Sequence, residues 1–118
     1  MKTILAAALL ALSCTAASAA EGGFVTRTAG DLADVCSGGP GGTERTAALN
    51  FCLGYAQGLM SITIDKDKNA VCLPPNPPSR ISTMRDFTTW ARASEEHRSM
   101  PAARGLLAFF QERFPCKS

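Results

Sequence analysis

Asn50-Phe51-Cys52-Leu53-Gly54-Tyr55-Ala56-Gln57-Gly58-Leu59-Met60 lies near the middle of a chain of 118 residues and predicts its central helix. Apolar and small residues recur there with the 3.6-residue period of a helix that is buried along one face. The predicted inner face consists of Ala48, Phe51, Cys52, Tyr55, Leu59 and Ile62. We therefore expect a buried helix over residues 44–64, with Thr43 as its N-cap residue.

Gly54 and Gly58 lie one turn apart on a neighbouring face of this helix. A glycine inside a helix costs about 1 kcal/mol relative to alanine. A pair at this spacing therefore indicates that another helix, or another chain, comes close to the backbone. Tight packing within the core and a homodimer contact that includes Tyr55 both fit the pattern, and the sequence leaves the two open.

Residues 1–20 have the features of a signal peptide rather than of a folded domain. Lys2 precedes a short apolar run, and Ala17-Ser18-Ala19 is a small-residue cleavage site. The run is shorter than the roughly 20 apolar residues that span a bilayer. We predict cleavage after Ala19 or Ala20 and one exported, periplasmic domain of residues 21–118. The alternative is a lipoprotein, because the residues around Cys14 loosely resemble a lipoprotein box.

Removal of this segment leaves four of the five cysteines, namely Cys36, Cys52, Cys72 and Cys116. An even number in a short exported chain predicts a disulfide framework, and four cysteines can pair in three ways. Cys36 ends a short predicted helix. The glycine loop after it returns the chain to the helix of Cys52. We therefore favour Cys36–Cys52 with Cys72–Cys116. The cysteines lack C-x-x-C spacing, so neither zinc nor any other cofactor is predicted.

The rest of the chain predicts further helices and no strand. Thr28 is placed to cap a short helix that ends at Cys36, and Ser79 to cap a third helix after a proline-rich connector at residues 74–78. The predicted inner residues of the third helix are Ile81, Met84, Phe87, Thr88 and Ala91, flanked by Trp90. After a polar break at residues 95–99, Pro101 occupies the first position of the last helix.

The predicted inner residues of the last helix are Ala103, Leu106, Leu107, Phe110 and Phe114, with Phe109 at a second interface. The fold class that follows is all-α, a small single-domain helical bundle of one short and three longer helices stapled by two disulfides.

Catalysis has few candidate residues in this sequence. His97 is the single histidine, oxidised cysteines leave no nucleophilic thiol, and Glu95 and Glu96 are adjacent rather than facing each other. The D-x-D-x-N pattern at residues 65–69 lacks the glycine and glutamate of a calcium loop. A net charge of +2 with no basic run does not favour nucleic-acid binding. We expect a binding protein rather than an enzyme.

An ordered set of short motifs spans the predicted mature chain: Asp31-Leu32 to Cys36, Cys52 to Gly58, Cys72-Leu73-Pro74 and Phe114-Pro115-Cys116. The set resembles the Rap/Tai family of periplasmic immunity proteins of type VI secretion systems. The resemblance implies a small helical protein, often dimeric, that occupies the active-site cleft of a peptidoglycan amidase effector.

The resemblance directs attention to polar residues that could contact such a partner. We predict that the contact surface consists of the polar break with the exposed start of the third helix: Arg80, Arg85, Glu95, Glu96, His97, Arg98 and Met100. Two other classes of protein remain open, an acid-activated periplasmic stress chaperone and an envelope structural protein.

Overall fold

The computed structural model describes residues 23–39, 41–64 and 71–116. These residues form five helices and no β-strand: α1 (Ala29–Cys36), α2 (Gly42–Thr63), α3 (Arg80–Arg92), α4 (Glu95–Ser99) and α5 (Ala102–Arg113). The predicted all-α class is therefore confirmed. The predicted signal peptide, the acylation site at Cys14 and the turn at residues 65–69 lie outside the described residues.

Helices α1 and α3 are at the centre of the fold, because each of them packs against the other four helices. Ala29, Leu32 and Ala33 have no exposed surface. The predicted cap is confirmed: the Thr28 hydroxyl accepts from the Asp31 N–H at 3.1 Å, and the Asp31 carboxylate accepts from the Thr28 N–H at 3.1 Å. A helix of 8 residues is marginal alone, so its packing supplies most of its stability.

Helix α2 begins earlier than predicted, and Thr43 is not its cap. The N-cap residue is Gly41, which makes no side-chain cap hydrogen bond. Gly41 and Gly42 have φ values of 108° and 63°. L-residues with a side chain rarely adopt such values, so the glycines themselves permit this start of the helix.

The predicted inner face of α2 is confirmed at Ala48 and Cys52, which are buried, and at Tyr55 and Leu59, which pack against the core, but it is wrong at Phe51 and Ile62. Phe51 is 36% and Ile62 73% exposed, and Tyr55 and Leu59 are half-buried. The buried residues of α2 are Ala48, Cys52, Ala56 and Thr63. The disulfide from Cys52 to Cys36 turns this face towards α1. Ala48 and Ala56 lie one turn before and after Cys52, so they are on the same face.

Helices α3 and α5 form the other wall of the core. Ser79 caps α3 as predicted, accepting from the Ser82 N–H at 3.1 Å. Met84, Phe87 and Ala91 are buried as predicted, with Thr83 in addition. Ile81, predicted to be internal, is 62% exposed. Thr88 is half-buried.

Helix α5 and its C-cap bury Leu106, Phe110 and Phe114 as predicted, but the start of the helix and three other residues differ from the prediction. Pro101 is the N-cap residue rather than the first helical residue, a shift of one position. Ala103 is exposed and Leu107 half-buried. Phe109 is buried against α3, with its ring centre 5.6 Å from that of Phe87. It therefore belongs to the main core rather than to a second interface.

Both predicted disulfides are confirmed. Cys36–Cys52 joins α1 to α2 with a Cα–Cα distance of 5.1 Å. Cys72–Cys116, with a Cα–Cα distance of 4.8 Å, joins the segment before α3 to the end of the described chain. The Cys72 N–H also donates to the Phe114 carbonyl at 3.0 Å. The proline-rich connector is non-helical, as predicted.

Candidate partner-binding surfaces

The predicted polar break is itself a helix, α4, so the bundle has two short helices and three longer ones. Its cap is Ser94, whose hydroxyl accepts from the His97 N–H at 3.1 Å. We call residues 94–101 the α4 projection. The Ala29 N–H donates to the Met100 carbonyl at 2.8 Å, and the Ala102 N–H donates to the Arg27 carbonyl at 3.1 Å. These bonds clamp the C-terminal end of the α4 projection onto the start of α1.

The other end of the α4 projection is held by an aromatic stack. The His97 ring lies on the Trp90 ring with 3.8 Å between centres and 12° between planes. His97 Nδ1 lies 2.9 Å from the Trp90 carbonyl oxygen. A carbonyl only accepts, so Nδ1 carries the proton in this contact. Trp90 in turn donates from Nε1 to Glu112 at 2.8 Å. His97 is therefore a structural anchor of the projection rather than a free surface group.

The side chains that the α4 projection presents to solvent are Glu95, Glu96, Arg98 and Ser99. Met100, predicted as a contact residue, is half-buried and packs against the core. The projection thus offers two carboxylates and one guanidinium on a short, hydrogen-bonded scaffold. Such an arrangement can make charge-assisted hydrogen bonds with a partner.

Arg80 and Arg85 lie apart from the α4 projection. Arg80 is the first residue of α3, and α4 follows the last. A helix of 13 residues places its ends about 18 Å apart. Arg80 donates from Nη1 to Gln57 at 2.9 Å, and Arg85 lines a separate cleft between α2 and α3. The structure therefore divides the predicted contact residues among three places.

The outer face of α2 carries the two glycines singled out in the sequence. A methyl group built on Gly54 or Gly58 would meet no atom within 4 Å. No other helix of the described chain approaches the two glycines. The interpretation that they allow tight packing within the core is therefore not supported by any contact. Phe51 and Ile62 are exposed on the same face, beside the half-buried Tyr55. Among the described residues, Phe24 packs against Phe51 on this face, with 5.2 Å between ring centres, whereas Ile62 keeps 73% of its surface exposed.

The sequence analysis missed a cavity of about 270 Å³ between α2, α3, α5 and the proline-rich connector. Leu53, Met60, Met84, Phe110 and Phe114 supply apolar walls, and the hydrogen-bonded pair of Gln57 and Arg80 also lines it. No sequence signal marks this cavity, because its walls come from segments far apart in the chain.

One carboxyl group has a shifted pKa, and it lies at the start of α1 rather than at a reactive centre. The Thr28 N–H, with the N–H and guanidinium of Arg27, lowers the pKa of Asp31 below its ordinary value of 3.8. The cause is the capping box, which favours the ionised carboxylate.

The described residues contain no cluster of three or more His, Cys, Asp or Glu side chains that could hold a metal ion. All four cysteines among them are disulfide-bonded. None of the helices in residues 23–39, 41–64 and 71–116 is long and apolar enough to cross a membrane.

The fold and its surfaces define a small, disulfide-bonded helical domain whose polar projections and unpartnered faces suit protein binding. The family model of the Rap1a immunity proteins matches residues 28–116, and the chain belongs to that family. Family membership indicates an immunity protein for a secreted effector, which implies that the chain binds an effector protein. No curated protein and no solved structure gives a significant match.

Proposed function

We propose that the protein is a periplasmic immunity protein that binds a peptidoglycan amidase effector of a type VI secretion system and occludes its active site. The observation that carries the proposal is the α4 projection, which is clamped at Ala29 and Ala102 and stacked at Trp90. It presents Glu95, Glu96 and Arg98 outward.

Preorganisation is the physical reason why such a projection suits inhibition. Fixing the backbone of one residue of a flexible loop costs about 1–2 kcal/mol, in addition to the cost of ordering its side chain on binding. The clamped projection has already lost most of its backbone freedom before the partner arrives. More of its contact energy is therefore available as affinity. Export to the compartment of peptidoglycan is consistent with the predicted signal peptide.

The test is inhibition of peptidoglycan cleavage by purified amidase effectors. We expect the wild-type protein to block one effector stoichiometrically. The triple variant Glu95→Ala, Glu96→Ala and Arg98→Ala should lose inhibition while keeping its helical circular dichroism. The matched control is Arg104→Ala with Gln111→Ala, which changes exposed residues on α5 and should inhibit normally.

Each alternative result has a definite meaning. Full inhibition by the triple variant would remove the α4 projection from the mechanism. A wild-type protein that blocks no effector, but binds many unfolded clients after acidification, would contradict the immunity function and favour the chaperone.

We also propose that the protein forms a homodimer through the outer face of α2. The support is the exposed surface of Phe51, Gly54, Gly58 and Ile62 beside the half-buried Tyr55, where the glycines leave room for a second backbone. Exposed contiguous apolar surface of this kind marks interaction sites in folded proteins.

Gly58→Leu tests the dimer at a position where a Cβ added to the chain meets no atom of the described residues within 4 Å. We expect weaker self-association in sedimentation velocity. Gln111→Leu, which places the same apolar side chain on the exposed surface of α5, should sediment like the wild type. Identical sedimentation of Gly58→Leu and the wild type would refute a dimer through this face.

A further inference from the structure

A cleft between the first half of α2 and α3 has no role in the function proposed so far. It encloses about 420 Å³, and the Cys36–Cys52 disulfide forms part of its lining. Arg45 from α2 and Arg85 from α3 both line it, together with apolar side chains that include Leu49 and Met84.

Charge separates this cleft from the rest of the surface. Arg27, Arg92 and Arg113 each lie within 4.0 Å of a carboxylate. Among the described residues, no such ion pair involves Arg45 or Arg85, and no carboxylate lines their cleft. Two arginines therefore line one cleft without a counter-charge from the described residues. A cleft lined by one sign of charge concentrates its field and attracts the opposite charge.

The neighbouring acidic residues lie elsewhere. Glu44 precedes Arg45 in the chain but lines a different groove, with Asp31 and Asp34. The carboxylate closest to Arg45 in the chain therefore lies in a groove separate from the cleft that Arg45 and Arg85 line.

The stem of Arg45 is positioned by the glycine loop. Gly38 is buried, and a methyl group added to it would lie 3.0 Å from Cγ of Arg45 and 3.5 Å from its Nε. The missing side chain thus lets the Arg45 stem lie directly over the loop. This contact holds the stem of Arg45 at the edge of the cleft.

We propose that this cleft binds an Asp or Glu side chain of the effector, flanked by an apolar side chain. Guanidinium groups bind carboxylates through paired, parallel N–H donors. Leu49, Met84 and the 62% exposed Ile81 supply apolar contact beside the charges. This inference rests on the proposed function, because it takes the occupant from the partner effector, and it adds a second contact to the α4 projection.

The first experiment uses the protein alone and a peptide probe. Acetyl-Leu-Glu-Leu-amide should shift the side-chain N–H resonances of Arg45 and Arg85 in a nuclear magnetic resonance titration. Acetyl-Leu-Gln-Leu-amide is the uncharged control and should leave them in place. Equal shifts with both peptides, or no shift with either, would refute a carboxylate-binding cleft.

The second experiment measures association with the inhibited effector at two salt concentrations. Arg45→Ala and Arg85→Ala should each lower the affinity about tenfold at low salt, chiefly by slowing association, and should weaken its salt dependence. Arg104→Ala removes an equal charge from α5 outside the cleft and should have little effect. Arg45→Lys should retain part of the association rate but not the paired donors.

The outcomes distinguish the two proposals. Tight effector binding by the double variant Arg45→Ala with Arg85→Ala would refute the cleft and leave the immunity function intact. Failure of the wild-type protein to bind any effector would refute the proposed function. It would also refute the inference that an effector side chain occupies the cleft. Melting curves of each variant show whether a loss reflects unfolding.

Discussion

Gly105 marks the closest approach between α5 and α1. A methyl group built at this buried position would lie 2.6 Å from Cβ of Ala29 and 3.4 Å from Cβ of Met100. Ala29 has no exposed surface, so it cannot swing aside into solvent. The substitution Gly105→Ala therefore requires α5 and α1 to move apart.

The expected cost follows from two opposing effects. Overpacking a core costs typically 1–3 kcal/mol, and this contact is short enough for the upper end of the range. Alanine in place of a helical glycine returns about 1 kcal/mol of intrinsic helix stability. We therefore expect Gly105→Ala to lower the free energy of unfolding by about 2 kcal/mol. For a domain of this size the melting temperature should fall by about 8–16 °C.

The same substitution at Gly54 or Gly58 should have the opposite sign. Neither added methyl group meets an atom within 4 Å, so only the helix-propensity gain of up to about 1 kcal/mol remains. Urea unfolding followed by circular dichroism measures all three variants. The protein concentration is set by sedimentation to the monomeric range, so that the proposed dimer does not contribute.

Two results would refute this reasoning. Gly105→Ala as stable as the wild type would mean that α5 does not pass α1 as closely as described. A destabilised Gly58→Ala would mean that the outer face of α2 is packed against something within the monomer. A change in the slope of unfolding against urea would separate an altered unfolded state from an altered fold.

Three further predictions concern the cap, the second disulfide and the aromatic stack. The folded-state pKa of Asp31 is lowered, so the stability that its carboxylate contributes is present above the unfolded value near 3.8 and is lost as the pH falls through the folded value. Asp31→Asn should therefore melt at a lower temperature than the wild type at pH 7. A difference in melting temperature that is the same at pH 7 and pH 2 would contradict this. The second disulfide, Cys72–Cys116, has a sequence separation of 44 residues. The double variant Cys72→Ser with Cys116→Ser should have a free energy of unfolding lower by about 4 kcal/mol, measured by urea unfolding. An unchanged free energy of unfolding in water would argue against the bridge. His97→Ala removes a ring stacked on Trp90 and should lower the local stability of α4 by about 1 kcal/mol. We expect faster amide hydrogen exchange in α4 and a red shift of the indole emission. The control variant Ser99→Ala should show neither change.

Helix ends and disulfides were predictable because their causes are local or few. Thr28 and Ser79 cap the helices that follow them through hydrogen bonds spanning three residues. The cysteine pairing could be inferred because three arrangements exist for four cysteines and one of them joins neighbouring elements. The start of α2 was mispredicted because a glycine conformation, rather than the hydroxyl of Thr43, permits it.

The rotation of the long helices was not predictable from periodicity. In α2, Phe51 and Ile62 are larger and more apolar than Ala56, so the pattern of large side chains includes them in the inner face and leaves Ala56 out, the reverse of their burial. The disulfide at Cys52 and close packing against α1 decide the matter instead. A helix of 5 residues such as α4 is also too short to carry a periodic signal.

The candidate site was predicted in part. The sequence marked Glu95, Glu96 and Arg98 as exposed polar residues, and they are exposed. It grouped Arg80 and Arg85 with them, whereas Arg80 lies at the opposite end of α3 and Arg85 faces a separate cleft. Composition identifies charged residues, but the direction of each helix decides which of them become neighbours.

The sequence by itself determined the helical class, two of the helix caps and the disulfide framework, because short-range hydrogen bonds and cysteine number suffice for these features. The tertiary structure decided that the short α1, with α3, is at the centre of the fold. It also decided that Gly54 and Gly58 have open space around them and that Arg45 and Arg85 share one cleft. These features depend on how helices rotate and approach one another, which is set by packing among residues distant in the chain.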